Sequence, residues 1–142
     1  MPLIYRVMSV DNGRPLVANS ARGLGVRFGD GPNDDLPVDA DGNVHPGKGM
    51  SVAPHWKLLP LHRIPRRLGR KHPEMRSATG RDQDACWRMG EGPFVTSSVR
   101  ERLTLFVDGP RHGVIGPSLA MSKDAYLAAL VATRDSWLVD ED

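Results

Sequence analysis

Arg6 is the first residue with chemical potential, because it is the one cation in the run Leu3-Ile4-Tyr5-Arg6-Val7-Met8. A guanidinium on an apolar strand either sits at a sheet rim, with its stem packed and its head in water, or it needs a partner for its fork, such as phosphate oxygens or an internal carboxylate. Five histidines stand at His45, His55, His62, His72 and His112. No two share the i, i+4 spacing on a convincing helix that a zinc hydrolase needs. Cys86 is the only cysteine, so no disulfide forms within the chain and no zinc site of two cysteines exists. Between Ala85 and Trp87 it reads as a small buried hydrophobe rather than a nucleophile. No Gly-x-Ser-x-Gly elbow occurs. Lys48 lies between two glycines, without the Gly-Lys-Ser/Thr of a phosphate loop. Gly23-Leu24-Gly25-Val26-Arg27-Phe28-Gly29 lacks the preceding strand and following long helix of a dinucleotide fingerprint. Asp39-Ala40-Asp41-Gly42-Asn43 carries part of a calcium loop, without the bidentate glutamate that closes one.

Charge is the other signal. The formal net charge is only +2, but from His55 to Arg81 there are eight Lys/Arg and one acid, Glu74. Trp56 and His62 are interleaved with Lys57, Arg63, Arg66, Arg67, Arg70 and Lys71. That pattern suits a nucleic-acid backbone, an acidic protein partner or an anionic ligand, and equally a solvated loop. The sequence closes on Asp140-Glu141-Asp142, of opposite sign.

These residues need elements to hold them. With 142 residues, 39% hydrophobic and 25% charged, the composition is that of a folded chain, and the expected organisation is one domain over 1–142. Fifteen glycines and twelve prolines favour many turns and short elements. Leu3–Val10 reads as a strand closed by the turn Asp11-Asn12-Gly13, with Leu3, Tyr5 and Val7 on one face and Ile4, Arg6, Met8 and Val10 on the other. Val17–Arg22 reads as a short helix ended by Gly23 and Gly25. His45–Val52 is a glycine-rich turn entering a strand. Leu58–Arg81, broken by Pro60, Pro65 and Pro73, reads as loop or very short helix. Cys86–Met89, Leu103–Asp108 and His112–Gly116 read as strands, with Arg111-His112-Gly113 as a tight turn. Ser122–Trp137 reads as a helix capped by Ser122, with Tyr126, Leu130, Thr133 and Trp137 as its core stripe. The fold class is therefore α+β. No apolar stretch approaches a membrane span and no leader pattern is read, so with a lone cysteine the expected compartment is a cytoplasm.

The order of short motifs resembles that of bacterial toxins delivered by type VI secretion systems, with an ADP-ribosyltransferase-like fold. The blocks are Ile4-Tyr5-Arg6-Val7; Val38-Asp39-Ala40-Asp41-Gly42-Asn43-Val44; Pro46-Gly47-Lys48-Gly49-Met50-Ser51-Val52; and His112-Gly113-Val114-Ile115-Gly116-Pro117, followed by Met121, Tyr126 and Leu130. The stretch 66–94 is outside the resemblance. It implies a split β-sandwich with few short helices and a C-terminal helix, around a cleft for NAD. It further implies that Arg6 holds a phosphate or ribose, that Ser51 braces that arginine and the nicotinamide ribose with Met50 beside it, and that His112 stands at the site's edge to polarise substrate or bond the turn. The family's third-motif glutamate has no counterpart here, Glu91 and Glu101 lying in unsuitable surroundings. A macromolecular acceptor, a cognate immunity protein docking on the basic segment and entry into a target cell by signal-less secretion would follow. The alternatives are a non-enzymatic module that uses residues 55–81 to contact nucleic acid or an acidic protein, and a transferase fold that has kept its shape but lost catalysis.

Overall fold

Residues 1–142 are described by a computed structural model. Its organising element is β1 (Ile4–Asp11), which is covered on both faces. Ile4 and Met8 enter the larger core, while Tyr5 and Val7 enter a smaller one with Trp56, Ile64, Leu68, Ala78 and Cys86. The alternation read from the sequence therefore separates two cores rather than a core from solvent.

β1 turns through Asn12 and Gly13, both at positive φ, into β2 (Arg14–Pro15). That is the two-residue hairpin favoured by an Asn-Gly pair. After a long irregular stretch come β3 (Asn43–Val44) and β4 (Met50–Val52). A six-residue helix α1 (Arg66–Lys71) follows, flanked by single 3-10 turns at Trp56–Leu58 and Pro73–Met75. β5 (Asp84–Met89), β6 (Ser97–Arg100), β7 (Leu103–Gly109), β8 (His112–Pro117), β9 (Met121–Ser122), α2 (Lys123–Val131) and β10 (Leu138–Val139) complete the chain. The sheets are antiparallel. One has the order β10-β5-β1-β2, a second β4-β8-β7-β6, and β3 pairs with β9.

The two larger sheets meet at one point. Tyr5 on β1 exchanges backbone hydrogen bonds with Ala53, the residue after β4. Further along the same edge Ser9 donates to the Arg22 carbonyl and accepts from Leu16. Strand alternation turns the Val7 amide to this edge too, and no strand lies opposite it. A gap opens there between the sheets.

The larger core lies under both sheets and α2. Trp87 and Trp137 are buried in it, and Trp56 in the smaller one. Each such side chain removes roughly 150–250 Å² from water, an upper contribution of about 4–6 kcal/mol at about 25 cal/mol/Å² before entropy is counted. Tyr126 joins α2 to the second sheet. Its hydroxyl donates to the Ile115 carbonyl at 2.6 Å and accepts from the Met50 amide at 3.2 Å.

Two expectations about helices are corrected. Val17–Arg22 is not helical. Gly23 and Gly25 let residues 23–25 fold back on 16–18, with a parallel bridge from Val17 to Leu24. A Cβ at Gly25 would stand 2.1 Å from the Ala18 carbonyl oxygen. The closing helix ends at Val131, not Trp137. Thr133 turns its amide and hydroxyl onto the Leu130 carbonyl, and the Trp137 indole donates to that hydroxyl at 3.0 Å. All four stripe residues are still buried, two of them beyond the helix. The hairpin before β8 turns at Pro110 and Arg111, with His112 already paired to Gly109. No helix is long and apolar enough to cross a membrane.

Candidate functional site

The gap beside Val7 is a cleft of about 220 Å³. β1 supplies Arg6 and Val7 to its wall and β4 supplies Ser51. The loop after β2 contributes Ala21, Arg27 and Asp35, and the segment before α1 contributes Leu59, Pro60, His62 and Arg63. Three guanidinium groups face one carboxylate across this space.

Arg6 is 7% exposed and is held entirely by backbone carbonyls. Its NH1 donates to Ser51 at 2.8 Å, and Nε and NH2 share the Gly23 carbonyl at 3.2 and 3.1 Å. A longer contact of 3.4 Å reaches Ser20. Burial lowers the Arg6 pKa to about 10, with the negative charge of Asp35 pulling the other way, so the side chain stays a cation at neutral pH. Its fork thus pins β4 and the 20–23 loop to β1.

Asp35 is itself committed. One carboxylate oxygen accepts from the Arg27 amide at 2.9 Å and from Arg27 Nε at 3.3 Å, and the other takes Arg27 NH2 at 3.3 Å. Arg63 has no such counterpart. Burial lowers its pKa, and the like charges of Arg27 and Arg22 lower it further, against the opposing pull of Asp84 and Asp35. A partly buried cation with no carboxylate bonded to it is an arrangement that an anion relieves.

No family model and no curated protein matches the chain.

Of the residues proposed from the sequence, the structure brings Arg6 and Ser51 to one cleft. The contact between them runs through the Ser51 carbonyl, leaving the hydroxyl without a protein partner. Met50 and His112 do not line it. Met50 is buried in the larger core, because alternation along β4 turns its side chain away from that of Ser51. His112 is exposed on the β7–β8 hairpin, with Nδ1 2.8 and 2.9 Å from the Asp108 carboxylate oxygens. It serves the turn. Arg27 and Asp35 were missed, since their meeting depends on a loop that closes with a parallel bridge from Phe28 to Leu36. Their eight-residue separation in a turn-rich stretch carries no periodic signal. His62 and Arg63 were visible only as members of the basic run.

Three cations of that run are paired within the chain. Glu141 grips Arg67 through two bonds of 2.7 Å, and Arg67 also donates to the carbonyls of Asp82 and Asp84. Lys57 pairs with Glu74 and Arg70 with Asp82. Asp140 meets Arg88 and the Tyr5 hydroxyl, and the Trp56 indole donates to the Asp142 carbonyl. Asp140 and Glu141 thus fold onto the chain's own cations.

Proposed function

We propose that the cleft along β1 binds a phosphate-bearing ligand, and that the protein is a toxin of the ADP-ribosyltransferase-like class, using NAD to modify a protein or nucleic acid inside a target cell. The observation that carries the binding is Arg63: a partly buried guanidinium without an acidic partner, lining one space with Arg6, Arg27 and the free Ser51 hydroxyl. An arginine fork matches phosphate oxygens. Val7, Leu59 and Pro60 add apolar wall for the rest of a nucleotide. NAD is the ligand that the toxin resemblance supplies.

Transfer of ADP-ribose breaks the bond between nicotinamide nitrogen and ribose carbon, and the cationic sugar then takes a nucleophile from the acceptor. A carboxylate facing that cation stabilises it. Asp35 is the only carboxylate lining the cleft. In this reading Arg27 would hold the ligand's phosphate and Asp35 would supply the carboxylate that stabilises the ribosyl cation.

The test combines calorimetric titration with NAD and induced expression in a bacterial host. Wild type binds NAD and arrests growth. Arg63→Ala loses affinity at least tenfold, about 1.4 kcal/mol, and Asp35→Asn retains binding but loses release of nicotinamide. A wild type that neither binds NAD nor arrests growth overturns the proposal. A second reading, a binding module, draws on exposed cations of the basic run without an ion pair, Arg66, Lys71, Arg76 and Arg81. A cognate acidic inhibitor would meet the same residues.

A further inference from the structure

Beside the cleft lies a smaller groove of about 90 Å³, lined by Arg22, His62, Arg63, Thr79, Gly80, Arg81 and Asp84, with no hydrophobic residue among them. It shares His62 and Arg63 with the cleft, so these two side chains form the partition between the two spaces.

The backbone brings two of the segments that line the groove together. Gly80 donates to the Ile64 carbonyl and accepts from Arg66, in a parallel bridge with Pro65. A Cβ at Gly80 would stand 2.2 Å from the Arg63 carbonyl oxygen, so only glycine lets the two segments close. Arg63 and Arg81 flank that junction and both line the groove. The Gln83 side-chain carbonyl, in the amide orientation that satisfies both groups, accepts from Arg81 Nε at 3.1 Å and NH2 at 2.8 Å. That bond fixes the fork without neutralising it. Arg22 is anchored through its carbonyl, which accepts from Ser9 on β1, and its side chain has no ion pair. The one acid in the lining, Asp84, is buried and accepts from the Ser9 hydroxyl at 2.7 Å.

We infer that this groove is a second anion subsite, separate from the Arg6 cleft, in which Arg22, Arg63 and Arg81 receive one phosphate group. All three arginines line one polar space, with the Thr79 hydroxyl as a further donor. A polar lining and a volume of about 90 Å³ favour the phosphate itself over a base or nicotinamide ring as the recognised group. Because Arg63 serves both spaces, the two anions stand on either side of one side chain. The phosphate comes either from a nucleic-acid backbone running past the cleft or from a small phosphorylated molecule. The inference goes beyond the dinucleotide reading and holds whether or not NAD occupies the cleft.

The experiment compares wild type with an Arg22→Gln/Arg81→Gln double variant. Two probes are used: inorganic pyrophosphate by calorimetry, and a short single-stranded oligodeoxythymidine by fluorescence anisotropy at several salt concentrations. Thermal midpoints confirm that the variant is folded. The expected result is at least a tenfold loss of affinity for one probe. Loss for the oligonucleotide, with a shallower salt dependence, assigns the phosphate to nucleic acid. Loss for pyrophosphate alone assigns it to a small molecule. Equal binding by variant and wild type, or no binding of either probe to wild type, overturns the subsite. NAD titrated alongside separates the two proposals: a wild type blind to NAD but sensitive at Arg22 and Arg81 sinks the dinucleotide reading and leaves the groove standing.

Discussion

Arg6 reaches Ser51 through the backbone: NH1 of the guanidinium lies 2.8 Å from the Ser51 carbonyl oxygen, and the serine hydroxyl remains free in the cleft. The arginine is thus a brace between two sheets and the serine a donor turned toward the ligand space.

Arg6→Ala removes the donor from the Gly23 and Ser51 carbonyls and leaves a hole at the junction of the sheets. Loss of a charged hydrogen-bonding group in a buried setting should lower stability by about 1–3 kcal/mol. Urea denaturation measures it. Arg6→Lys keeps the charge but cannot span both carbonyls, so it should recover only part of the loss. An Arg6→Ala protein as stable as wild type would show that the brace is idle.

Ser51→Ala leaves the brace untouched, because the carbonyl is retained. Stability should change by less than about 0.5 kcal/mol. Affinity for the cleft ligand should fall, by a few-fold for one lost neutral hydrogen bond. A matched fall in thermal midpoint would place the hydroxyl in the fold instead.

Gly49→Ala should be costly. A Cβ at Gly49 would meet the Ile115 carbonyl oxygen at 2.1 Å and the Tyr126 hydroxyl at 2.8 Å. Relief requires β4 to move off β8, and Ser51 moves with it. The expected loss is about 2 kcal/mol or more, with weaker ligand binding as a secondary effect, read by calorimetry and thermal unfolding together.

His55 gives the pH dependence. Burial, helped by the charge of Lys57, lowers its pKa below the ordinary value of 6.5. Its Nδ1 accepts from the Lys57 amide at 3.2 Å and so caps the turn that buries Trp56. A histidine whose folded pKa is depressed imposes no cost above the unfolded value. Its cost appears as pH falls through 6.5 and grows until the folded pKa is passed. Stability should therefore decline on acidification through this window, and the decline should shrink in His55→Asn. Nuclear magnetic resonance titration of the His55 ring should report a pKa under 6.5.

Glu141→Gln should release the Arg67 fork and weaken the bond to the Cys86 amide. The pair is partly solvated, so the expected loss is about 1 kcal/mol. A double-mutant cycle with Arg67→Gln should return a coupling energy of that size. If the coupling vanishes, the acidic residues near 140 lie loosely on the basic run, and an external acidic partner regains that surface.

Local physics made several features legible from the residues alone. The alternation of β1, the turn at Asn12-Gly13, the strands β7 and β8, the Ser122 cap and the burial of Tyr126, Leu130, Thr133 and Trp137 each depend on near neighbours in the chain. So did the choice of Arg6 as a cation without an adjacent acid. Tertiary structure alone decided what that cation does. Gly23, Ser51 and Ser20 come to it from other segments, and backbone carbonyls leave no trace in residue identity. The fate of the basic run was decided in the same way. The attraction between Arg67 and Glu141 acts across 74 residues of chain, and no period or spacing records which charges will meet once β10 has paired with β5. The cleft itself exists because β1 lacks a partner strand beside Val7, a property of two sheets failing to meet and not of any residue in the gap.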